Sequence, residues 1–139
     1  MRARRFLESA LRLGGASIDP GGIWYIKEGI GVSWLQQDKG EEALSHLQRA
    51  LETAGHSEIP DWVPGSRQGM LRETLYNLAC AQSLMGDAEQ ACSTLRKHLE
   101  SLSGGERNEE AEKIWEDPQL KKATRADCYR RIEKEMGLD

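Results

Sequence analysis

Thr74 to Leu99 reads TLYNLACAQSLMGDAEQACSTLRKHL, two helical segments hinged at Met85-Gly86-Asp87. Leu78, Ala79 and Leu84 mark an apolar stripe on the first segment, and Ala91, Leu95 and Leu99 recur every four residues on the second. Small residues on facing helices let two backbones approach, so Ala79 and Ala91 are expected to form the closest contact of an antiparallel pair.

Working backwards, the same pattern returns at a constant offset. Ile30, Gly31, Ala43, Leu47 and Leu51 stand 48 residues before Leu78, Ala79, Ala91, Leu95 and Leu99. Gly31 then faces Ala43 as Ala79 faces Ala91. Gly29 and Gly31 each cost about 1 kcal/mol against alanine inside a helix, which implies a packing reason for keeping them. Further back, Ala3, Leu7, Ala10 and Leu11 precede Ala43, Leu47, Ala50 and Leu51 by 40 residues. The opening stretch therefore reads as the second helix of a pair whose first helix is missing. An Arg-rich targeting helix is the competing reading, but it gives no reason for that register.

These residues make the chain resemble the tetratricopeptide repeat (TPR) family, whose unit is a helix-turn-helix of about 34 residues. The resemblance implies an all-α, right-handed superhelix of antiparallel helix pairs closed by a C-terminal capping helix, about seven helices in one domain. Its parts are a half repeat (1–13), a repeat (23–55), an inserted loop (56–68), a second repeat (69–103) and a helical cap (108–137). The insertion follows from the offset, since 48 exceeds the usual period by about 14; Pro60 and Pro64 keep helix out of it, and Ile59, Trp62 and Val63 make it unusually apolar. Asp38 stands where the family's turn glycine is usual, whereas Gly86 keeps it. In the cap, SGGERNEE (103–110) reads as an acidic loop and Ala111 to Trp115 as a short helix. Asp117-Pro118 opens the last helix, with Leu120, Thr124, Cys128, Ile132 and Met136 stepping by four down one face.

In TPR arrays the first helices of each pair line a concave surface. Carried onto this chain, that implies a groove of Tyr25, Glu28, Val32, Leu35 and Gln36, then Glu73, Tyr76, Asn77, Cys80, Ser83 and Leu84. Aromatic and aliphatic groups beside two glutamates suit an extended or helical peptide of a partner protein. Glu28 and Val32 stand where carboxylate-binding members carry lysine and asparagine, so a terminal carboxylate is not the expected ligand. Trp62 on the loop, and Phe6 with Leu7 on the first helix, are further partner candidates; the last two suggest homodimerisation or docking into a larger complex. Arg2, Arg4, Arg5 and the Lys121 to Lys134 face offer a third route, to RNA or acidic membrane, but without aromatic residues between the charges beyond Tyr129.

Composition bounds the rest. A net charge of -4 argues against a general nucleic-acid binder. No apolar run reaches membrane-spanning length, so a soluble, intracellular protein is expected. Cys80, Cys92 and Cys128 are an odd number without C-x-x-C spacing, read as small packed residues in a reducing compartment. His46, His56 and His98 are scattered, so no metal is expected, and His98 reads as a core histidine in place of the alanine of the other units. Glu41, Glu42, Glu109 and Glu110 read as a solvated face. No nucleophile or phosphate loop is present, so neither catalysis nor a cofactor is expected.

Overall fold

The computed structural model describes residues 4–5, 7–9, 20–54 and 66–138, and among these all regular structure is helical. In chain order come α1 (Pro20–Leu35), α2 (Gly40–Ala54), α3 (Ser66–Leu84), α4 (Ala88–Glu100), α5 (Gly104–Glu116), a 3-10 turn (Pro118–Leu120), α6 (Lys121–Thr124) and α7 (Asp127–Met136). None of the described helices is long and apolar enough to cross a membrane.

The offset of 48 reappears as geometry. At the end of α1, Asp38 N–H bonds the Leu35 carbonyl (2.8 Å) and Lys39 N–H the Trp34 carbonyl (3.0 Å). At the end of α3, Gly86 N–H bonds the Ser83 carbonyl (2.9 Å) and Asp87 N–H the Gln82 carbonyl (3.0 Å). Both are the paired bonds that close a helix around a left-handed residue. Asp38 takes that conformation with φ 55° and Gly86 with φ 83°, so aspartate, which tolerates this region, performs the glycine's task. After Gly86, Asp87 caps α4 by accepting from Gln90 N–H at 3.2 Å.

In the first hairpin the close approach lies at Gly31, whose nearest neighbour is Leu47 rather than Ala43. A methyl group built on Gly31 would lie 2.6 Å from Cγ and Cδ2 of Leu47 and 3.6 Å from the Ala43 carbonyl oxygen. Ala43, Ala79 and Ala91 are fully buried, together with Leu47, Leu95 and Leu99, in one core that continues into Ile114, Leu120 and Ile132. α1 packs on α2, α2 on α3 and α3 on α4, and α1 also touches α3, so the two hairpins stack side by side. Gly40 sits at that stacking point: its missing side chain faces the Ala81 carbonyl oxygen and Leu84 Cβ of the next hairpin.

Ahead of α1, residues 4–5 and 7–9 are helical. Leu7 is half-buried, its Cδ1 turned onto Gly29, and the Arg4 guanidinium lies over the Trp34 ring, 3.5 Å from its centroid. The edge that Leu7 was expected to leave open is thus partly closed by α1; Phe6, like the rest of 1–13, lies outside the described residues. So does Trp62 with most of the inserted loop, but α3 begins at Ser66, three residues before the expected start of the second repeat.

The C-terminal part departs further. The segment expected to be an acidic loop is the first half of α5, which runs 13 residues from Gly104. Only Ile114 on it is buried, so it carries no apolar period to read. It is anchored instead by Arg107, which donates to the Leu99 (3.0 Å) and Leu102 (2.7 Å) carbonyls at and just after the end of α4. The expected last helix is broken at Arg125-Ala126 into α6 and α7, yet Leu120, Thr124, Cys128 and Ile132 are all buried and Met136 packs against the core. Gly137, φ 66°, closes α7.

All three cysteines are buried in helices. Cys92 of α4 and Cys128 of α7 are joined in a disulfide, which does not accord with the expected reducing environment and leaves Cys80 as the free thiol.

Candidate functional site

The residues expected to line a groove divide into three groups. The first is consumed by the contact between hairpins. Glu28 is 4% exposed. It accepts from Thr74 Oγ1 at 3.0 Å and Asn77 Nδ2 at 2.5 Å, while Trp24 Nε1 donates to Thr74 Oγ1 at 2.8 Å. This buried chain ties α1 to α3. With no cation in it, burial raises the Glu28 pKa, and the bonds from Asn77 and Thr74 only partly offset that. Glu28 is therefore not a groove charge able to repel or attract a ligand.

The second group is covered by the chain itself. The segment from Asp117 to Thr124 lies along α3 and the end of α1. Gln119 Nε2 donates to the Leu35 carbonyl at 2.6 Å and to Asp38 Oδ1 at 3.0 Å. Ala123 N–H donates to Ser83 Oγ at 3.3 Å, and the Cys80 sulfur is 4.0 Å from Asp117 Oδ2. Leu35, Cys80 and Ser83 are buried as a result. Burial, reinforced by Asp117, pushes the Cys80 thiol far up, which disfavours the thiolate. Val32 and Leu84 are half-buried; Tyr25 (68% exposed) and Gln36 remain on the surface, away from any shared cavity among the described residues.

Only Glu73, Tyr76 and Asn77 line a cleft, of about 510 Å³, between α3 and α5. Arg72 and Gly69 of α3, His98 of α4, Leu102, and Glu110 and Lys113 of α5 complete it. The Tyr76 hydroxyl donates to Asp117 Oδ2 at 2.5 Å, which fixes the ring as one wall, and burial with that bond pushes its pKa far up. Lys113 Nζ stands 4.6 Å from the Tyr76 ring centroid. Arg72 donates from Nη2 to the Ser101 carbonyl at 2.7 Å, while its buried Nε has no partner.

His98, 4% exposed, meets the Tyr76 ring edge-on at 5.8 Å. Its Nε2 lies 3.2 Å from Glu110 Oε1, an approach outside hydrogen-bond geometry, and Nδ1 has no partner. Burial lowers the His98 pKa, Glu110 opposes this, and Lys113 and Arg72 add to it, so the ring is neutral at pH 7. His98 is a core histidine as read, but one with an unfilled polar face. Glu110 is not on a solvated face: it turns into the cleft toward His98 and Lys113, whereas Glu41, Glu42 and Glu109 are exposed.

Arg72, Glu110 and Lys113 escaped the sequence reading. The short helix expected at Ala111 to Trp115 held Lys113 but began one residue after Glu110, whereas α5 runs from Gly104 and carries both. The cationic face after Lys121 is partly answered by acids, with Arg131 3.7 Å from Glu89 and Arg130 3.4 Å from Asp127. No group of three His, Cys, Asp or Glu among the described residues is placed to hold a metal ion. The cleft presents an aromatic wall, the cationic side chains of Arg72 and Lys113, the Asn77 amide and the carboxylates of Glu73 and Glu110. Comparison with protein-family models, curated proteins and solved structures returned no match.

Proposed function

We propose that this chain is a TPR-like right-handed superhelix acting as a protein-interaction module, an adaptor or assembly factor, which holds an extended or helical segment of another protein in the α3–α5 cleft. The observation that supports this most is the cleft itself, about 510 Å³, in which the fixed Tyr76 ring stands beside Glu73, Asn77, Glu110 and Lys113. The stacked hairpins, with the same turn at Asp38 and Gly86, supply the rigid frame.

A photo-crosslinking residue placed at Glu73, on the cleft rim, is expected to give one discrete adduct in a lysate, mapping to one partner segment, while the same group at exposed Glu52 of α2 gives none. Lys113→Glu, at a side chain 64% exposed, is expected to reduce capture of that segment at least about fivefold without moving the unfolding midpoint. Equal labelling at the two positions, or none at Glu73, overturns the proposal.

A further inference from the structure

On the far side of α5 a second pocket is built by a different set of residues. Asn108, Ala111, Glu112 and Trp115 follow one another at helical spacing on one face of α5. Tyr129 and Glu133, four apart on α7, stand opposite. Gly137 supplies the third wall: its left-handed turn lets Leu138 N–H bond the Glu133 carbonyl at 2.8 Å and Gly137 N–H the Lys134 carbonyl, which folds Leu138 back over the helix end. The enclosed space is about 530 Å³.

Its chemistry is one-sided. Trp115 is 50% exposed although it is among the largest apolar side chains of the protein, and its ring lies 6.5 Å from that of Tyr129 at 30°. Tyr129 is buried, lines the pocket, and makes no hydrogen bond from its hydroxyl to the described residues. Burial and the neighbouring Glu133 push its pKa up to about 12, so it stays a neutral donor. Glu112 and Glu133 are the charged groups of the lining, and no lysine or arginine is among it; Lys121 bonds the Trp115 carbonyl at 3.3 Å without joining the lining.

We propose that this pocket receives an arginine side chain of a partner protein. The half-exposed Trp115 indole, backed by buried Tyr129, provides a face on which a guanidinium plane stacks. Glu112 and Glu133 provide carboxylates that can pair with a guanidinium. The proposal stands apart from the α3–α5 cleft and does not depend on what that cleft holds.

Titration of the full chain with N-acetyl-arginine methylamide, followed at the Trp115 indole N–H resonance (identified by its loss in Trp115→Phe), is expected to give a saturable shift. The uncharged analogue N-acetyl-citrulline methylamide is expected to bind at least fivefold more weakly. Glu112→Gln, at an exposed position, is expected to weaken the arginine probe at least threefold and leave the citrulline probe unchanged. A shift that does not saturate, equal binding of the two probes, or equal binding of N-acetyl-lysine methylamide overturns the proposal.

Discussion

Gly40→Ala is expected to destabilise the protein by about 3 kcal/mol, although the substitution adds a single methyl group. An ideal Cβ at this position falls 2.7 Å from the Ala81 carbonyl oxygen, 2.9 Å from Leu84 Cβ and 3.3 Å from Met85 Cγ. The first two are backbone or backbone-proximal atoms of α3, so relief requires the two hairpins to separate. Alanine's better helix propensity, worth about 1 kcal/mol mid-helix, is smaller at the first residue of α2 and does not compensate. Gly31→Ala meets Leu47 at 2.6 Å, a fully buried side chain with little room to move, and about 2 kcal/mol is expected. Gly29→Ala meets only the tip of half-buried Leu7, which can swing aside, so its effect should lie between neutral and a gain of about 1 kcal/mol. Urea denaturation of the three variants checks the order. A Gly40→Ala protein as stable as Gly29→Ala would mean that the hairpins do not stack through this point.

Glu28→Ala is the second large effect, and here pH is the informative variable. Removing the carboxylate strands the donors of Thr74 and Asn77 in a buried site, a loss of about 2–4 kcal/mol. Because burial raises the pKa of Glu28 in the folded chain, the folded state binds this proton more tightly than the unfolded state. Its contribution is full below the ordinary value of 4.5 and falls as pH rises through the elevated folded value. Glu28→Gln keeps the shape and removes the titration. Its stability relative to the native chain should therefore improve as pH rises from 4.5 to the elevated folded value and level off above it. His98 and His46, both held below their ordinary pKa by burial, act in the opposite direction on acidification. They do so equally in both proteins and cancel in the difference. A difference that runs the other way would show Glu28 ionised and stabilised in place.

The hairpins were legible because their signal is local and periodic. Gly31 against Leu47, and fully buried Ala79 and Ala91, follow from small residues recurring at one offset in helical stripes. Asp38 looked like a departure from the pattern, and its φ of 55° shows that a turn is set by backbone conformation, which more than one residue type can adopt. What sequence did not carry was polar and long-range. Gln119 reaches Leu35 across 84 positions with a single amide, and no periodicity announces such a bond. That contact is what draws the Asp117 to Thr124 segment over Leu35, Cys80 and Ser83, so the surface expected to be open along both first helices shortens to the cleft at Tyr76. Glu28 misled for a related reason. A glutamate is most often solvated, and only the placement of Thr74 and Asn77 on the neighbouring helix makes burial tolerable. Glu110 was placed on a solvated loop because the first half of α5 buries no side chain and is anchored by Arg107 rather than by an apolar stripe.

The bond between Cys92 and Cys128, 36 positions apart, turns this stretch into a covalent ring that contains the whole of α5 and α6. A protease that severs one peptide bond inside this ring adds a water molecule's mass but releases nothing: both new ends stay tethered, and the nick becomes visible only after a thiol is added. The Tyr76 cleft and the Trp115 pocket share α5 as a wall, so each can survive a scission that would dismantle an open chain.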